Sequence, residues 1–180
     1  EIAEGIVELN PDKTIKVNEM MKTSVDNIYA AGDVTGGYQL TPVARKEGIT
    51  AARNMAGYGN KVSYSCIPQT LSLNMEVSFV KNENSECSED DKTTISFPGI
   101  GGPGAFWNIL SGDTGYTEIE FDKAKNKINS INHISPSSVS DVAYLSYLMR
   151  MDYDLDDYDD FLEIHPSTDT NYKIIKNMWL

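Results

Sequence analysis

The stretch NIYAAGDVTGGYQLTPVARKEGITAAR, residues 27–53, constrains this chain more than any other. The apolar run from Asn27 to Ala31 reads as a buried strand. It leads into Gly32-Asp33 and then a Gly36-Gly37 break. Thr41-Pro42 opens a helix expected over Val43 to Ala56, because proline's fixed φ suits a first helical position. The residues before Asp33 are small, which lets its carboxylate reach a hydroxyl-bearing ligand. A helix starting after a glycine turn offers free backbone N–H groups and the positive end of its dipole to an electron-rich group. These properties suit a sugar-phosphate chain and the electron-poor ring attached to it.

The motif resembles a known one. TSVDNIYAAGDV is similar to the second flavin-binding motif of the FAD-dependent pyridine nucleotide-disulfide oxidoreductases, the dihydrolipoamide dehydrogenase-like family. The resemblance implies that Asp33, after Gly32, hydrogen-bonds the ribityl-phosphate part of FAD. It implies that Leu40, Thr41, Pro42 and Val43 pass under the flavin ring, with backbone near Thr41 and Val43 approaching the pyrimidine edge. KEGITAARNMAG favours the dihydrolipoamide or mercuric reductase branch, whereas LTPVA leans toward glutathione reductase.

Val43, Ala44, Glu47, Gly48, Ala51, Ala52 and Met55 fall at helical spacing, and most are small. Gly48 costs up to ~1 kcal/mol against alanine in a helix, so close packing at that point is the expectation. Gly5 to Leu9 and Thr14 to Val17 read as a hairpin around Asn10-Pro11-Asp12. The Gly57-Tyr58-Gly59-Asn60 break divides residues 1–59 from 60–180.

Beyond it, strands are expected at Gln69 to Val80, Thr93 to Phe97, Ala105 to Leu110, Tyr116 to Phe121 and Lys127 to His133. Ser138 to Asp141 resembles a capping box ahead of a helix reaching about Met151. Leu155 to Leu162 and Asn171 to Leu180 read as two further helices. Strands followed by helices give an α+β fold, an antiparallel sheet packed with helices. The order resembles the dimerisation domain that closes the same enzymes. Ile67, Pro68, Glu76 and Val77 match its first strand, with Met75 in place of a proline, and Gly115-Tyr116 matches a Gly-aromatic strand start. The resemblance implies residues 1–59 as the end of an FAD-binding domain, 60–180 as an interface domain, and a homodimer.

His165-Pro166-Ser167 resembles the family's His-Pro-Thr motif. That implies His165 as the acid–base catalyst in the partner subunit's active site, a task suited to imidazole near neutral pH. Thr170 stands where family members carry the glutamate that orients the ring, Asp169 is one position early, and Glu163 replaces a preceding histidine. His133, in an expected strand, reads as a surface or half-buried structural residue.

Two lookalikes are set aside. Gly99, Gly101 and Gly104 match GxGxxG, but Pro103 removes a donor and no crossover helix follows. Asp152, Asp154, Asp156 and Glu163 fall at calcium-loop positions, but Asp157 stands where the loop needs glycine. No metal is expected. The formal charge of -12 argues against nucleic acid and anionic membrane surfaces. No apolar run reaches the ~18 residues of a membrane helix. Cys66 and Cys87 read as reduced thiols of a cytoplasmic protein rather than a redox pair.

The pyrophosphate-binding GxGxxG, the redox-active cysteine pair and the NAD(P)H domain of the family are not matched in these residues. The expectation is therefore the FAD-contacting and dimerising region of an NAD(P)H-dependent disulfide oxidoreductase, inactive by itself. The alternative is a non-catalytic dimerisation module with a degenerate His165 site.

Overall fold

The computed structural model describes residues 3–98, 106–162, 164 and 171–178. The chain forms two compact units, Glu1–Ser63 and Tyr64–Leu180.

The first unit is built on one helix, α1 (Thr41–Met55), against which the preceding turns are laid. The expected hairpin near the N-terminus is reduced to a single bridge, Leu9 to Ile15, closed by the Asn10 N–H to Thr14 carbonyl bond of 2.8 Å. The expected buried strand at Asn27 to Ala31 is corrected likewise. Tyr29 bridges Lys22, no ladder extends from it, and Ile28 is exposed. A strand needs partners along its edges to satisfy its backbone, and among the described residues only this bridge pairs with it.

Helix α1 ends in a Schellman motif. Gly57, at φ 87, lets the Tyr58 N–H reach the Arg53 carbonyl at 3.1 Å and its own N–H reach Asn54 at 3.0 Å. Its buried face is Val43, Glu47, Thr50, Ala51 and Asn54. Asn54 is a polar anchor: its amide donates to the carbonyls of Met20 (2.7 Å) and Asn60 (2.8 Å) and accepts the Asn60 N–H at 2.6 Å. The expected close packing at Gly48 is not found, since a Cβ there would meet nothing within 4 Å. Gly48→Ala is therefore expected to stabilise this chain by about 0.5–1 kcal/mol, read as a raised thermal midpoint.

The second unit is a five-stranded antiparallel sheet in the order β1-β2-β5-β4-β3, with helices packed on one face. The strands are β1 (Gln69–Ser72), β2 (Glu76–Lys81), β3 (Lys92–Phe97), β4 (Tyr116–Asp122) and β5 (Lys127–Ser135). The single strand expected over Gln69 to Val80 is a hairpin, whose turn leaves Leu73 exposed and pairs Ser72 with Glu76. The strand expected at Ala105 to Leu110 is a helix, α2 (Phe106–Ser111), with Ala105 outside the described residues. Phe106, Ile109 and Leu110 already had helical spacing. The Ser111 hydroxyl donates to the Trp107 carbonyl at 2.9 Å, and Gly112 at φ 81 ends the turn.

Helix α3 (Ser138–Arg150) lays Val142, Leu145 and Met149 on the sheet residues Val80, Ile119, Phe121 and Ile131. The expected second helix is one 3-10 turn, Asp157–Asp160. Asp154 Oδ1 accepts the Asp156 N–H (3.0 Å) and the Asp157 N–H (3.2 Å), so that carboxylate is spent on its own turn. Tyr158 and, from helix α4 (Asn171–Met178), Tyr172 and Ile175 complete the core. The Tyr172 hydroxyl donates to the Phe161 carbonyl at 2.7 Å. Among the described residues no helix is long and apolar enough to cross a membrane.

Candidate functional site

The site begins at Gly32. Its φ of 81 and ψ of -162 lie where only glycine is comfortable, and its position is fixed from two sides. A Cβ there would lie 3.4 Å from Ala44 Cβ, so the glycine backbone rests on the first turn of α1. Its N–H donates to Glu47 Oε2 at 2.6 Å. Glu47 is 2% exposed. The chain then closes a 3-10 turn over Asp33–Thr35, with the Thr35 N–H and hydroxyl both on the Gly32 carbonyl at 2.9 Å. The Ile15 N–H ties the turn to the N-terminal segment through Val34 O at 2.7 Å. Gly36 follows at φ 79, and a Cβ there would press on Thr14 Oγ1 at 3.0 Å.

Asp33 thus starts a 3-10 turn rather than ending a strand. Its side chain is exposed, and among the described residues its carboxylate makes no hydrogen bond or ion pair. Leu40 caps α1 in extended conformation (φ -126, ψ 132) and supplies no side-chain bond. Thr41 and Pro42 are exposed, and Val43 buries its side chain while its backbone belongs to the first turn. The first N–H groups of a helix have no intrahelical partner, so the α1 start is an uncapped donor surface beside the Gly32-Asp33 turn. Gly32, Asp33, Leu40, Thr41, Pro42 and Val43 are brought together as this arrangement. Glu47 and Asn54 were missed as anchors, although a Glu and an Asn within an otherwise small, apolar helical stripe are the signal for buried polar contacts.

His165 lies outside the described residues, as do Glu163, Pro166, Ser167, Asp169 and Thr170. The glycine run from Gly99 to Gly104 does too. His133 is corrected: it is completely buried, not at or near the surface. Its Nδ1 lies 2.6 Å from Thr117 Oγ1, and its Nε2 lies 3.1 Å from Asp141 Oδ2 and 3.0 Å from Ser135 Oγ. With nothing reaching it from solvent, this is a structural network. Asp141 accepts the Ser137 hydroxyl at 2.8 Å, and Ser137, not Ser138, is the N-cap of α3. The expected capping box is displaced because Ser138 turns inward to Ser78 Oγ at 2.8 Å.

Both cysteines are free. Burial first, then the Glu83 carboxylate, pushes the Cys66 thiol up to about 11. Cys87 is also raised, by burial and then Asp122. Cys66 lines a polar cavity of about 400 Å³ whose cationic groups are engaged: Lys127 with Asp152 at 2.5 Å, Lys125 with Asp122 at 3.8 Å, and Arg150 donating to the Ser65 carbonyl at 2.7 Å. At pH 8 a thiol titrating near 11 is thiolate only about one part in a thousand. The native chain is therefore expected to take up its first equivalent of iodoacetamide at Cys87, the more exposed thiol. The second should follow only after unfolding, as mass spectrometry would show.

Residues 2–48 match the family described as pyridine nucleotide-disulphide oxidoreductase. The likeness to that family is carried by this segment, about a quarter of the chain. The match contains Gly32, Asp33 and the first half of α1. The chain is 46% identical over 66 residues, 37% of its length, to a dihydrolipoyl dehydrogenase of Chlamydia muridarum. It is 36% identical over 84 residues, 47% of its length, to the mitochondrial dihydrolipoyl dehydrogenase of Mus musculus. It spans only 14% and 16% of those two relatives. In fold it resembles the HOCl-induced flavoprotein disulfide reductase RclA from Escherichia coli, solved as a Cu(II) complex, with a TM-score of 0.79. That likeness covers 96% of this chain and 40% of that one at 18% identity, and is one of fold. The α+β architecture of this chain thus matches, in fold, part of that reductase.

Proposed function

We propose that this chain is the FAD-contacting and dimerising region of an NAD(P)H-dependent flavin disulfide oxidoreductase of the dihydrolipoamide dehydrogenase kind. The observation that carries the reading is the Asp33 carboxylate, exposed and unengaged on a turn seated against the uncapped start of α1. The residues fit the group. Asp33 would accept a hydroxyl of the ribityl-phosphate chain, and the N–H groups at Thr41 and Val43 would face the electron-poor ring. FAD, when bound, supplies the electron relay between NAD(P)H and a disulfide. This chain's own part is to hold the cofactor's ribityl side. His165 would accept the proton that a substrate thiol loses on becoming thiolate, across a homodimer interface. NAD(P)H would bind in parts of the whole protein that this chain does not match. Two unpaired thiols accord with a reducing compartment such as the cytoplasm.

The test uses the whole flavoprotein carrying this sequence. His165→Ala is expected to leave reduction of the flavin by NAD(P)H intact and to slow dihydrolipoamide oxidation by at least about a hundredfold, as seen by rapid mixing. If neither half-reaction changes, His165 is not catalytic; if the unsubstituted flavoprotein does not oxidise dihydrolipoamide at all, the reading becomes a dimerisation module with a vestigial histidine.

A further inference from the structure

We infer that Glu47 is a positioning residue for the flavin site: its buried carboxylate holds the Gly32 N–H and so sets where the Asp33 carboxylate leaves the surface. The inference rests on the flavin reading above. Glu47 lies seven residues into α1, on the face that also buries Val43, Thr50, Ala51 and Asn54. A carboxylate on such a face is costly unless hydrogen bonds hold it. Here it accepts the Gly32 N–H at 2.6 Å, a short charge-assisted bond, and lies 3.5 Å from the Thr35 hydroxyl. Thr35 in turn closes the turn on the Gly32 carbonyl. Both backbone hydrogen-bonding groups of Gly32 are therefore tied down, the N–H to the helix and the carbonyl within the turn.

Asp33 is one Cα–Cα step, about 3.8 Å, beyond that held residue. Its own side chain has no partner among the described residues to orient it. What fixes its direction is the backbone, which Glu47 holds at the Gly32 N–H and Thr35 at the Gly32 carbonyl. A glycine at φ 81 resists no rotation by itself, so the clamp is needed where the freedom is greatest. The carboxylate does not touch a cofactor; it acts through the turn.

The test measures flavin dissociation from the whole flavoprotein by recovery of free-flavin fluorescence. Glu47→Ala is expected to raise the flavin Kd about tenfold. Glu47→Gln, whose side-chain carbonyl still accepts the Gly32 N–H, should stay within about threefold. In an Asp33→Ala background, Glu47→Ala should add almost nothing, because the group it positions is gone. A full additive loss in that background, or no change for Glu47→Ala where Asp33→Ala weakens binding, overturns the positioning role. If Asp33→Ala itself leaves flavin affinity unchanged, the flavin reading falls first and takes this one with it. Should Glu47→Ala fail to fold, Thr35→Val carries the same test. It should raise Kd about threefold, again only when Asp33 is present, and an additive effect or none overturns the inference.

Discussion

Gly115→Ala is expected to destabilise the second unit by about 3 kcal/mol or more. Two costs add. Gly115 sits at φ 67, where a side chain is penalised by about 1–2 kcal/mol. A Cβ there would also fall 1.7 Å from the Ile134 carbonyl oxygen and 2.7 Å from its carbon. That neighbour is the backbone of β5, held in register with β4 through Tyr116 to Ile134 and Thr117 to His133. A carbonyl in a ladder cannot swing aside as the tip of a lysine can, so the start of β4 has to move. The displacement reaches the buried Thr117–His133 contact one residue on. A domain's net stability is only on the order of 5–15 kcal/mol. The urea midpoint, followed by far-UV circular dichroism, should therefore drop steeply. An unchanged midpoint would mean that Gly115 does not pass under Ile134.

The same glycine shows what could be read from the sequence and what could not. Its place before an aromatic strand start was visible, but its physical reason is a cross-strand approach that only the register reveals. Helix α1, strands β3, β4 and β5, and α3 were legible because each carries its own hydrophobic period over several residues. The β1–β2 hairpin was not, because Leu73 and Met75 continue the apolar pattern through the turn. Helix α2 was missed because four of its six residues, Phe106, Trp107, Ile109 and Leu110, are aromatic or branched, and β propensity outweighed the i, i+3, i+4 spacing. In the site, Gly32, Asp33 and the α1 start were legible from local chemistry. The Glu47 clamp was not, since it joins residues 15 positions apart through a side chain that composition places on the surface.

Buried polar side chains are the general case of that blindness, and His133 is the sharpest instance. His133→Ala is expected to cost about 3 kcal/mol, because it leaves buried polar partners unsatisfied and opens a cavity beside them. The variant would leave Thr117 Oγ1 without its 2.6 Å contact and Asp141 with one donor fewer, at a position only 5% exposed. Ser137 still donates to Asp141 at 2.8 Å, which limits the loss but does not replace the imidazole. Asp141→Asn should cost less, about 1–2 kcal/mol, because an amide oxygen still accepts from Ser137 and His133. Removing both ends with His133→Leu and Asp141→Leu should recover part of the single-variant loss, since neither polar partner of the contact is then left unsatisfied inside. Chemical denaturation of the three variants at one pH separates these cases. The network is refuted if His133→Ala loses less than about 1 kcal/mol, or if the double variant is simply the sum of two large losses.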